Sequence, residues 1–253
     1  MMENCAEIRG LRVSFNGETV LRGITADIPR HGVTVLLGRS GSGKTTLLRA
    51  LNRLNESFAG YEGEGEVRLA IMGGMRPIYG SGAPDLTRIR RSVGMVFQSP
   101  NPLPLSFRKN MTLPLELTLN LKKDEAELRM EKSLRDVGLW DEVKDRLNRH
   151  AASFSGGQQQ RMCLARTLAL EPDILLLDEP TASLDRKSAE LIEEHLDRLK
   201  DRIPVIMVSH SLAQARKLGA RFKILSDGRI INELERDELP RGEAAEAFLE
   251  ELL

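Results

Sequence analysis

Eight residues, Gly38 to Thr45, have the types and spacing that bind phosphate groups, G-x-x-x-x-G-K-[ST]. The apolar run Val33–Leu37 before them predicts a buried strand, and leucines at helical spacing follow. Glycines let backbone N–H groups and the positive end of a helix face an anion. The residues expected to hold phosphates are Gly38, Arg39, Ser40, Gly41, Ser42, Gly43, Lys44, Thr45 and Thr46. The strand–loop–helix context favours a nucleoside triphosphate site over an ordinary glycine-rich turn.

Two adjacent carboxylates, Asp178 and Glu179, end the apolar run Ile174–Leu177. A buried strand ordinarily ends in a turn residue, so paired acids at its tip indicate a charged ligand. Ligands of open parallel sheets bind outside the carboxyl ends of the strands. If the strands are neighbours, these acids, the phosphate loop and His210 after the strand predicted over 205–209 converge on one point. The alternative for the two acids alone is a helix N-cap.

The expected chemistry at that point is phosphoryl transfer to water. Lys44 would reach the β- and γ-phosphates, and the Thr45 hydroxyl would ligate Mg²⁺. Asp178 would hold the same ion, directly or through water. Glu179 would accept a proton from the attacking water or orient it.

A second segment predicts another anion site. Ser155 suits a helix N-cap, and the paired glycines Gly156 and Gly157 allow close backbone approach ahead of Gln158. Two such sites in one chain are difficult to explain as coincidence. The segment therefore calls for a second role facing phosphate.

The elements that position these residues alternate between short apolar runs and longer amphipathic stretches, which predicts an α/β fold with a parallel sheet. Asn16-Gly17 predicts a hairpin and thus an antiparallel β part, with a further strand near 65–70. Residues 73–84 are interpreted as a loop. Prolines at 100, 102 and 104 favour an extended segment that leads into a helical insertion. The predicted divisions are 1–98 and 166–253 for the two parts of the core and 99–165 for the insertion.

Composition and charge limit the classes of partner and the cellular setting that this chain fits. Lys plus Arg and Asp plus Glu are both 37, so the net charge of zero gives no reason to expect nucleic acid. Cys5 and Cys163 fit no metal-ligand spacing and indicate reduced thiols in an intracellular protein. No apolar run approaches the ~20 residues that span a bilayer, so no direct membrane insertion is expected. The remaining histidines, His31, His150 and His195, are expected at the surface.

Taken in order, these motifs resemble those of ATP-binding-cassette (ABC) ATPases over nearly the whole chain. Besides the phosphate loop and the two acids, the resemblance matches Phe154 to Gln158 to the family signature. It also matches Gln98 to the Q-loop, Asp185 within 183–185 to the D-loop, and His210 to the switch histidine. Phe15 stands where the family stacks an aromatic ring on adenine, although a core phenylalanine is the alternative. The implied fold is a P-loop NTPase parallel-sheet core with an antiparallel β subdomain and an inserted helical subdomain.

The resemblance implies a head-to-tail homodimer around two Mg-ATP. Ser155, Gly156 and Gly157 would bind the γ-phosphate held by the opposite chain's Lys44, and Asp185 would act across the interface. Gln98 would contact Mg²⁺ or the attacking water, and His210 would contact the γ-phosphate. Integral membrane permease subunits would hold the protein on the cytoplasmic face of the membrane as a peripheral subunit.

Several stretches are most similar to the ATPase subunit of bacterial phosphate importers, including Leu51–Asn55 and Leu139–Leu147. The departures are Phe154 and Leu103, segment 111–121 and the C-terminal tail, so a transporter with another cargo, or an exporter, is an alternative. A non-transport ABC ATPase acting on nucleic acid is less favoured, because only one cassette is present. The apolar residues Leu103, Leu105 and Phe107 are a candidate docking surface for a permease helix, with packing inside the helical part as the alternative.

Overall fold

The computed structural model describes residues 4–182, 184–209, 211–240 and 248. Over these ranges the strands are β1 (Asn4–Phe15), β2 (Glu18–Pro29), β3 (Val33–Leu37), β4 (Tyr61–Ile71), β5 (Gly74–Pro77), β6 (Val93–Val96), β7 (Ile174–Asp178), β8 (Val205–Val208), β9 (Arg221–Ser226) and β10 (Arg229–Glu235). The α-helices are α1 (Lys44–Ala50), α2 (Leu86–Ser92), α3 (Phe107–Leu119), α4 (Lys123–Asp136), α5 (Trp140–Val143), α6 (Gly156–Leu168), α7 (Arg186–Leu199) and α8 (Leu212–Leu218). Ser183 and His210, which the resemblance matches to the D-loop and to the switch histidine, lie outside the described residues, as does most of the predicted C-terminal helix.

An antiparallel sheet has the strand order β2-β1-β4-β5. Asn16 and Gly17 join β1 to β2 with φ of 51° and 82°. Positive φ at both central residues suits the right-handed twist of a hairpin, and Asn-Gly adopts it readily. The predicted hairpin and the strand near residues 65–70 are both confirmed.

The interpretation of residues 73–84 as a loop was wrong at its start. β5 pairs antiparallel with β4, from Ile71 opposite Gly74 to Arg68 opposite Pro77. Met72 and Gly73 form the connecting turn with φ of 50° and 77°. Methionine seldom adopts positive φ, so only Gly73 of the two turn residues matched the residue types that predict a hairpin.

A second sheet has the order β10-β9-β3-β8-β7-β6, with all neighbours parallel except the edge strand β10. The strands before the phosphate loop, before the two carboxylates and before residue 209 are therefore adjacent. Their carboxyl ends meet at one edge of the sheet. The predicted neighbourhood of the three strands is confirmed.

Alternation along these strands divides the core between the two faces of the parallel sheet. Val35 and Leu37 belong to the buried cluster that includes residues of α3, α4 and α6, whereas Leu36 belongs to the cluster that includes residues of α1 and the antiparallel sheet. Leu175 and Leu177 of β7 face the first side and Leu176 the second. Each fully buried side chain of this size contributes roughly 1.5–3 kcal/mol to folding. Both faces are covered, which explains the nearly continuous apolar runs of the parallel strands.

The stretch between β6 and β7 is helical, as predicted. Residues 97–106 contain no helix, and α3 to α6 follow. The stripe that predicted α4, Ala126, Met130 and Leu134, is fully buried. α6 continues to Leu168, and the division at residues 98 and 165 stays a prediction.

The expectation that three histidines lie at the surface was wrong for one of them. His31 and His150 are exposed, but His195 on α7 is only 6% exposed. It belongs to the apolar stripe of that helix, beside Ile192 and Leu196. Burial, followed by the nearby charge of Arg198, lowers the pKa of His195 below its ordinary value.

This buried imidazole predicts a pH dependence of stability. Because its pKa is lower in the folded chain, the unfolded chain binds a proton first as the pH falls below about 6.5. The free energy of unfolding should then decrease by at most about 1.4 kcal/mol per pH unit from this group. Urea midpoints measured from pH 7.5 to 5.5 should fall more steeply for the wild type than for H195Q. Parallel curves would contradict the assignment.

Among the described helices, none combines the length and apolar character that crossing a bilayer requires. Cys5 and Cys163 are buried and form no disulfide, and burial raises the pKa of the Cys5 thiol to about 12. Both thiols pack in the core, as expected for Cys163.

Candidate functional site

The phosphate loop lies wedged between the two sheets. A Cβ at Gly38 would lie 2.1 Å from the carbonyl oxygen of Leu225 on β9, and one at Gly43 would lie 2.8 Å from the Leu21 side chain on β2. Gly43, the N-cap of α1, also has φ of 101°. A Cβ at Gly41 would meet nothing within 4 Å. The loop is therefore tightly packed on the side that faces β9 and β2 and open at Gly41, which leaves room for a ligand.

Lys44 is the buried cation of this loop. It is 5% exposed, and its Nζ donates to the carbonyl oxygens of Gly38 and Arg39 at 2.6 and 2.7 Å. Burial lowers the pKa of Lys44, while the charges of Glu179 and Asp178 oppose that shift. The ammonium group is thus held over the loop, next to the carboxylates at the end of β7.

The end of β7 joins the phosphate loop to the segment after β6. The Thr45 hydroxyl donates to Asp178 Oδ1 at 3.0 Å, and Asp178 is 5% exposed. The Gln98 amide donates to Glu179 Oε2 at 3.2 Å. Glu179 has φ of 47° and its backbone N–H donates to the carbonyl of Val208 on β8. This positive φ turns the chain sharply after the strand.

These residues fit a triphosphate and a hard cation. The buried Ser42 Oγ makes no hydrogen bond within the protein, and the first N–H groups of α1 have no intrahelical acceptor. The hydroxyl of Thr45, the carboxylate of Asp178 and the amide oxygen of Gln98 are the oxygen donors that Mg²⁺ prefers. No group of three or more His, Cys, Asp or Glu side chains that could hold a metal occurs in the described part of the chain.

The second predicted anion site lies at the start of α6. Ser155 is its N-cap: its hydroxyl accepts from the Gln158 N–H, and the Gln158 side chain accepts from the Ser155 N–H. Ser155 and Gly156 are exposed, and a Cβ at Gly156 would meet nothing within 4 Å. The start of α6 is therefore open at Gly156, while the capping box uses the N–H groups of Ser155 and Gln158.

Asp185 and this second site lie together. A Cβ at Gly157 would lie 2.3 Å from the Ser188 hydroxyl and 3.8 Å from Asp185 Oδ2. Asp185 caps α7: it accepts from the Ser188 hydroxyl at 2.7 Å and from its N–H at 3.0 Å, and these bonds lower the pKa of Asp185. Within the described ranges, no hydrogen bond or ion pair joins this group to the phosphate loop. The chain thus presents two separate groups of predicted ligand residues.

Phe15 ends β1 next to the hairpin turn and is partly buried. Its ring lies 6.2 Å from that of Phe58 and 6.0 Å from that of Tyr61. It is therefore neither a fully buried core residue nor a free surface ring. Base stacking by Phe15 stays a prediction.

Two residues that the sequence analysis did not single out connect the second site to its surroundings. Gln160 is fully buried and donates to the carbonyl of Phe97 at 2.8 Å, just before Gln98. Arg161 makes a two-pronged pair with Glu142, at 2.8 and 3.1 Å. Burial opposes the ionised form of Glu142, but the hydrogen bonds from Arg161 and then Gln158 lower its pKa. Gln160 and Arg161 lie four residues before the inner-face residues 164 and 165, so helical periodicity could have found both.

The candidate docking surface is smaller than predicted. Leu103 and Leu105 are 37% and 36% exposed, but Phe107 is fully buried against Phe154 at 4.8 Å between ring centroids. Phe107 begins α3 and turns inward, so it cannot contact a partner. The structure corrects the predicted trio to two leucines.

A family model described as ABC transporter matches residues 21–182. The phosphate import ATP-binding protein PstB of Mycobacterium intracellulare is 46% identical over 223 residues, covering 88% of this chain and 76% of that protein. A protein named PstB 2 from Ligilactobacillus salivarius is 40% identical over 230 residues, covering 91% of this chain and 90% of its own.

Two solved structures share the fold. A dimeric ATP-binding cassette, MJ0796, described in a post-hydrolysis state with ADP and Pi, has a TM-score of 0.75 and 30% identity, covering 94% of this chain and 99% of its own. CbiO1 from Clostridium perfringens, described as part of the ABC transporter complex cbiONQ, has a TM-score of 0.76 at 24% identity, covering 94% and 90%. The predicted α/β architecture, a parallel-sheet core with an antiparallel sheet and inserted helices, is confirmed.

Proposed function

Since this chain belongs to the ABC transporter family and is one of its ATP-hydrolysing subunits, we propose that it drives the import of phosphate or a related oxyanion. The assignment of phosphate as the cargo depends on one observation, the similarity to two phosphate import ATP-binding proteins across about nine-tenths of the chain. The ATPase itself need not contact the cargo, so the cargo follows from the permease with which it assembles.

In the proposed reaction the phosphate loop holds ATP, with Lys44 on the β- and γ-phosphates. Mg²⁺ held by Thr45 and Asp178, with Gln98 nearby, would neutralise charge on the phosphate oxygens when bound. Glu179 orients the attacking water, and its hydrogen bond from Gln98 keeps that carboxylate in place. His210 is assigned to the γ-phosphate, as its place after β8 suggests.

The second anion site completes this reaction in a homodimer. Ser155, Gly156 and Gly157 of one chain would bind the γ-phosphate held by Lys44 of the other. The exposed start of α6, open at Gly156, supports this assignment. Asp185 lies beside Gly157 and would act across the same interface. ATP then joins the two chains, and its hydrolysis separates them.

The loop that presents Leu103 and Leu105 has a fixed shape. Asn110, fully buried, accepts from the Leu103 N–H at 2.7 Å and donates to the carbonyls of Leu103 and Ser106. Arg166 donates to Asn110 and to Asn101. A rigid loop that exposes two leucines supports docking of a permease subunit, which would hold the ATPase at the cytoplasmic face of the membrane.

Co-purification and transport test the function. The tagged chain, expressed in its own cell, should co-purify with integral membrane subunits. Proteoliposomes of that complex should take up labelled phosphate only with Mg-ATP on the side of this chain, and sulfate serves as the comparison anion. Uptake of another solute, outward transport, or recovery with ribosomes or nucleic acid would each overturn the proposal.

L105E should reduce co-purification with the permease at least about tenfold and leave ATP binding unchanged, because burying an unpaired charge at an interface is costly. The Leu105 backbone already bonds to Leu103 and Ala151, so the fold should tolerate the change. L117E is the matched control, because Leu117 is a 72% exposed leucine of the same helical region. Equal recovery of permease with both variants would remove Leu105 from the docking surface.

A further inference from the structure

A groove between α4 and α7 is independent of the nucleotide site. It is a cavity of about 800 Å³ lined by α4, the turn after α6, the second half of α7 and the loop before β8. Pro172 and Ile203 in its wall lie just before β7 and β8, at the amino ends of the strands. The phosphate loop follows the opposite ends. We call this cavity the α4–α7 groove.

We propose that the α4–α7 groove binds a small organic anion with an apolar body. The proposal needs neither the cargo nor the dimer inferred above. It stands on a buried polar group in the groove, an excess of cations around it, and apolar walls of suitable size.

The buried polar group is His195. Its side chain lines the groove at 6% exposure, and neither ring nitrogen makes a regular hydrogen bond. The ring lies against the turn at Gly138, where a Cβ would be 3.2 Å from Nε2, and close enough to the Val137 backbone to influence its charge state. A neutral imidazole offers one donor and one acceptor. The Val137 backbone can engage at most one of them, and leaving the other buried and unused is unfavourable, so a polar ligand group reaching the ring would relieve it.

The cations outnumber the anions around the groove. Five basic side chains line it against three acidic ones, Glu125, Asp136 and Glu171, although the whole chain has no net charge. Arg129 pairs with Glu171, and Arg135 pairs with Glu131. The other basic residues, Lys132, Arg198 and Arg202, have no carboxylate within 4 Å in the described part of the chain. These three exposed cations favour an anionic group at the rim.

The walls and size specify the rest of the ligand. Leu128, Leu168, Leu199 and Ile203 supply apolar surface, and Leu128 is 71% exposed. Pockets for small molecules hold about 300–1,000 Å³ and combine apolar walls with a few polar groups. A single phosphate or sulfate would leave these walls uncovered. The ligand class is therefore an organic phosphate, sulfonate or carboxylate with an apolar or aromatic part.

The test uses 8-anilinonaphthalene-1-sulfonate, an aromatic sulfonate that fluoresces on leaving water, with saturating ADP present to occupy the nucleotide site. We expect one saturable site per chain. R198Q/R202Q should weaken its Kd at least about tenfold, because charge-assisted contacts are the stronger ones. R12Q/R22Q, which removes two exposed arginines of the antiparallel sheet, should leave the Kd unchanged.

Two further measurements fix the location. Leu128 and Leu117 are equally exposed leucines, so L128E should weaken binding of the probe and L117E should not. In the histidine ring NMR spectrum, the signal that H195Q removes should shift when the probe is added to the wild type. Equal affinity in the groove and control variants, or an unmoved His195 signal at saturation, would overturn the site.

Discussion

K44A should lose ATP turnover by at least about two orders of magnitude, because one preorganised donor to developing charge is typically worth ~10²–10³ in rate. Lys44 is already held by the carbonyls of Gly38 and Arg39, next to the carboxylates of Asp178 and Glu179. Without the ammonium group, a triphosphate would approach two carboxylates with no buried cation between them. Nucleotide affinity should fall as well. Phosphate release and binding of a fluorescent ATP analogue measure the two effects.

A matched control separates loss of charge from loss of fold. Lys109 on α3 is an exposed lysine that pairs with Glu116 on the same helix, and K109A should retain turnover. Circular dichroism should show that K44A keeps its helices and strands. Turnover of folded K44A within twofold of the wild type would mean that Lys44 is not the cation of the reaction.

The parts of the site that could be predicted from sequence are those whose chemistry is local. The phosphate loop is continuous in the chain, and alternation of apolar runs identified β3, β7 and β8 as buried strands. The rule that ligands bind at the carboxyl ends of parallel strands then predicted that Lys44 and Asp178 lie close together, and the strand order confirms that they do.

The predictions that failed concern single residues. Periodicity alone does not determine the direction of one side chain or the backbone conformation of one residue. Phe107 follows the exposed leucines in an apolar segment, but the start of α3 turns its ring onto Phe154. His195 was expected at the surface, whereas its helical position beside Ile192 buries it. Met72 occupies a backbone conformation that methionine rarely adopts, so the turn before β5 was not predicted from the sequence. In each case tertiary packing overrode the local signal.

The link between the two predicted sites also lies beyond sequence patterns. Gln160 on α6 donates to the carbonyl of Phe97, one residue before Gln98, and Gln98 donates to Glu179. The helix that begins at the second anion site thus bonds to the loop that holds the proposed water-orienting carboxylate. Such a link needs three segments far apart in the chain, and only the folded structure brings them together.

E179Q should bind Mg-ATP but hydrolyse it ~10²–10³-fold more slowly, because the group that orients the attacking water loses its charge. Glutamine is isosteric, tolerates the φ of 47° as glutamate does, and can still accept from Gln98 through its amide oxygen. The site should therefore keep its shape while the chemistry stops. Single-turnover hydrolysis and equilibrium nucleotide binding separate the two effects.

The same variant tests the dimer. The Glu179 carboxylate would lie near the negative charge of the γ-phosphate. Two unit charges about 5 Å apart at an effective dielectric of ~20 repel by roughly 3 kcal/mol, so removing the carboxylate should strengthen an ATP-bound dimer by about a hundredfold. Light scattering at saturating Mg-ATP should show a stable dimer of E179Q and only a transient one of the wild type. E171Q is the matched control: Glu171 precedes the same strand, has φ of 51°, and lies at the opposite end from the nucleotide. E179Q that stays monomeric while binding ATP would leave Ser155 without a phosphate to bind, and the two-chain site would have to be abandoned.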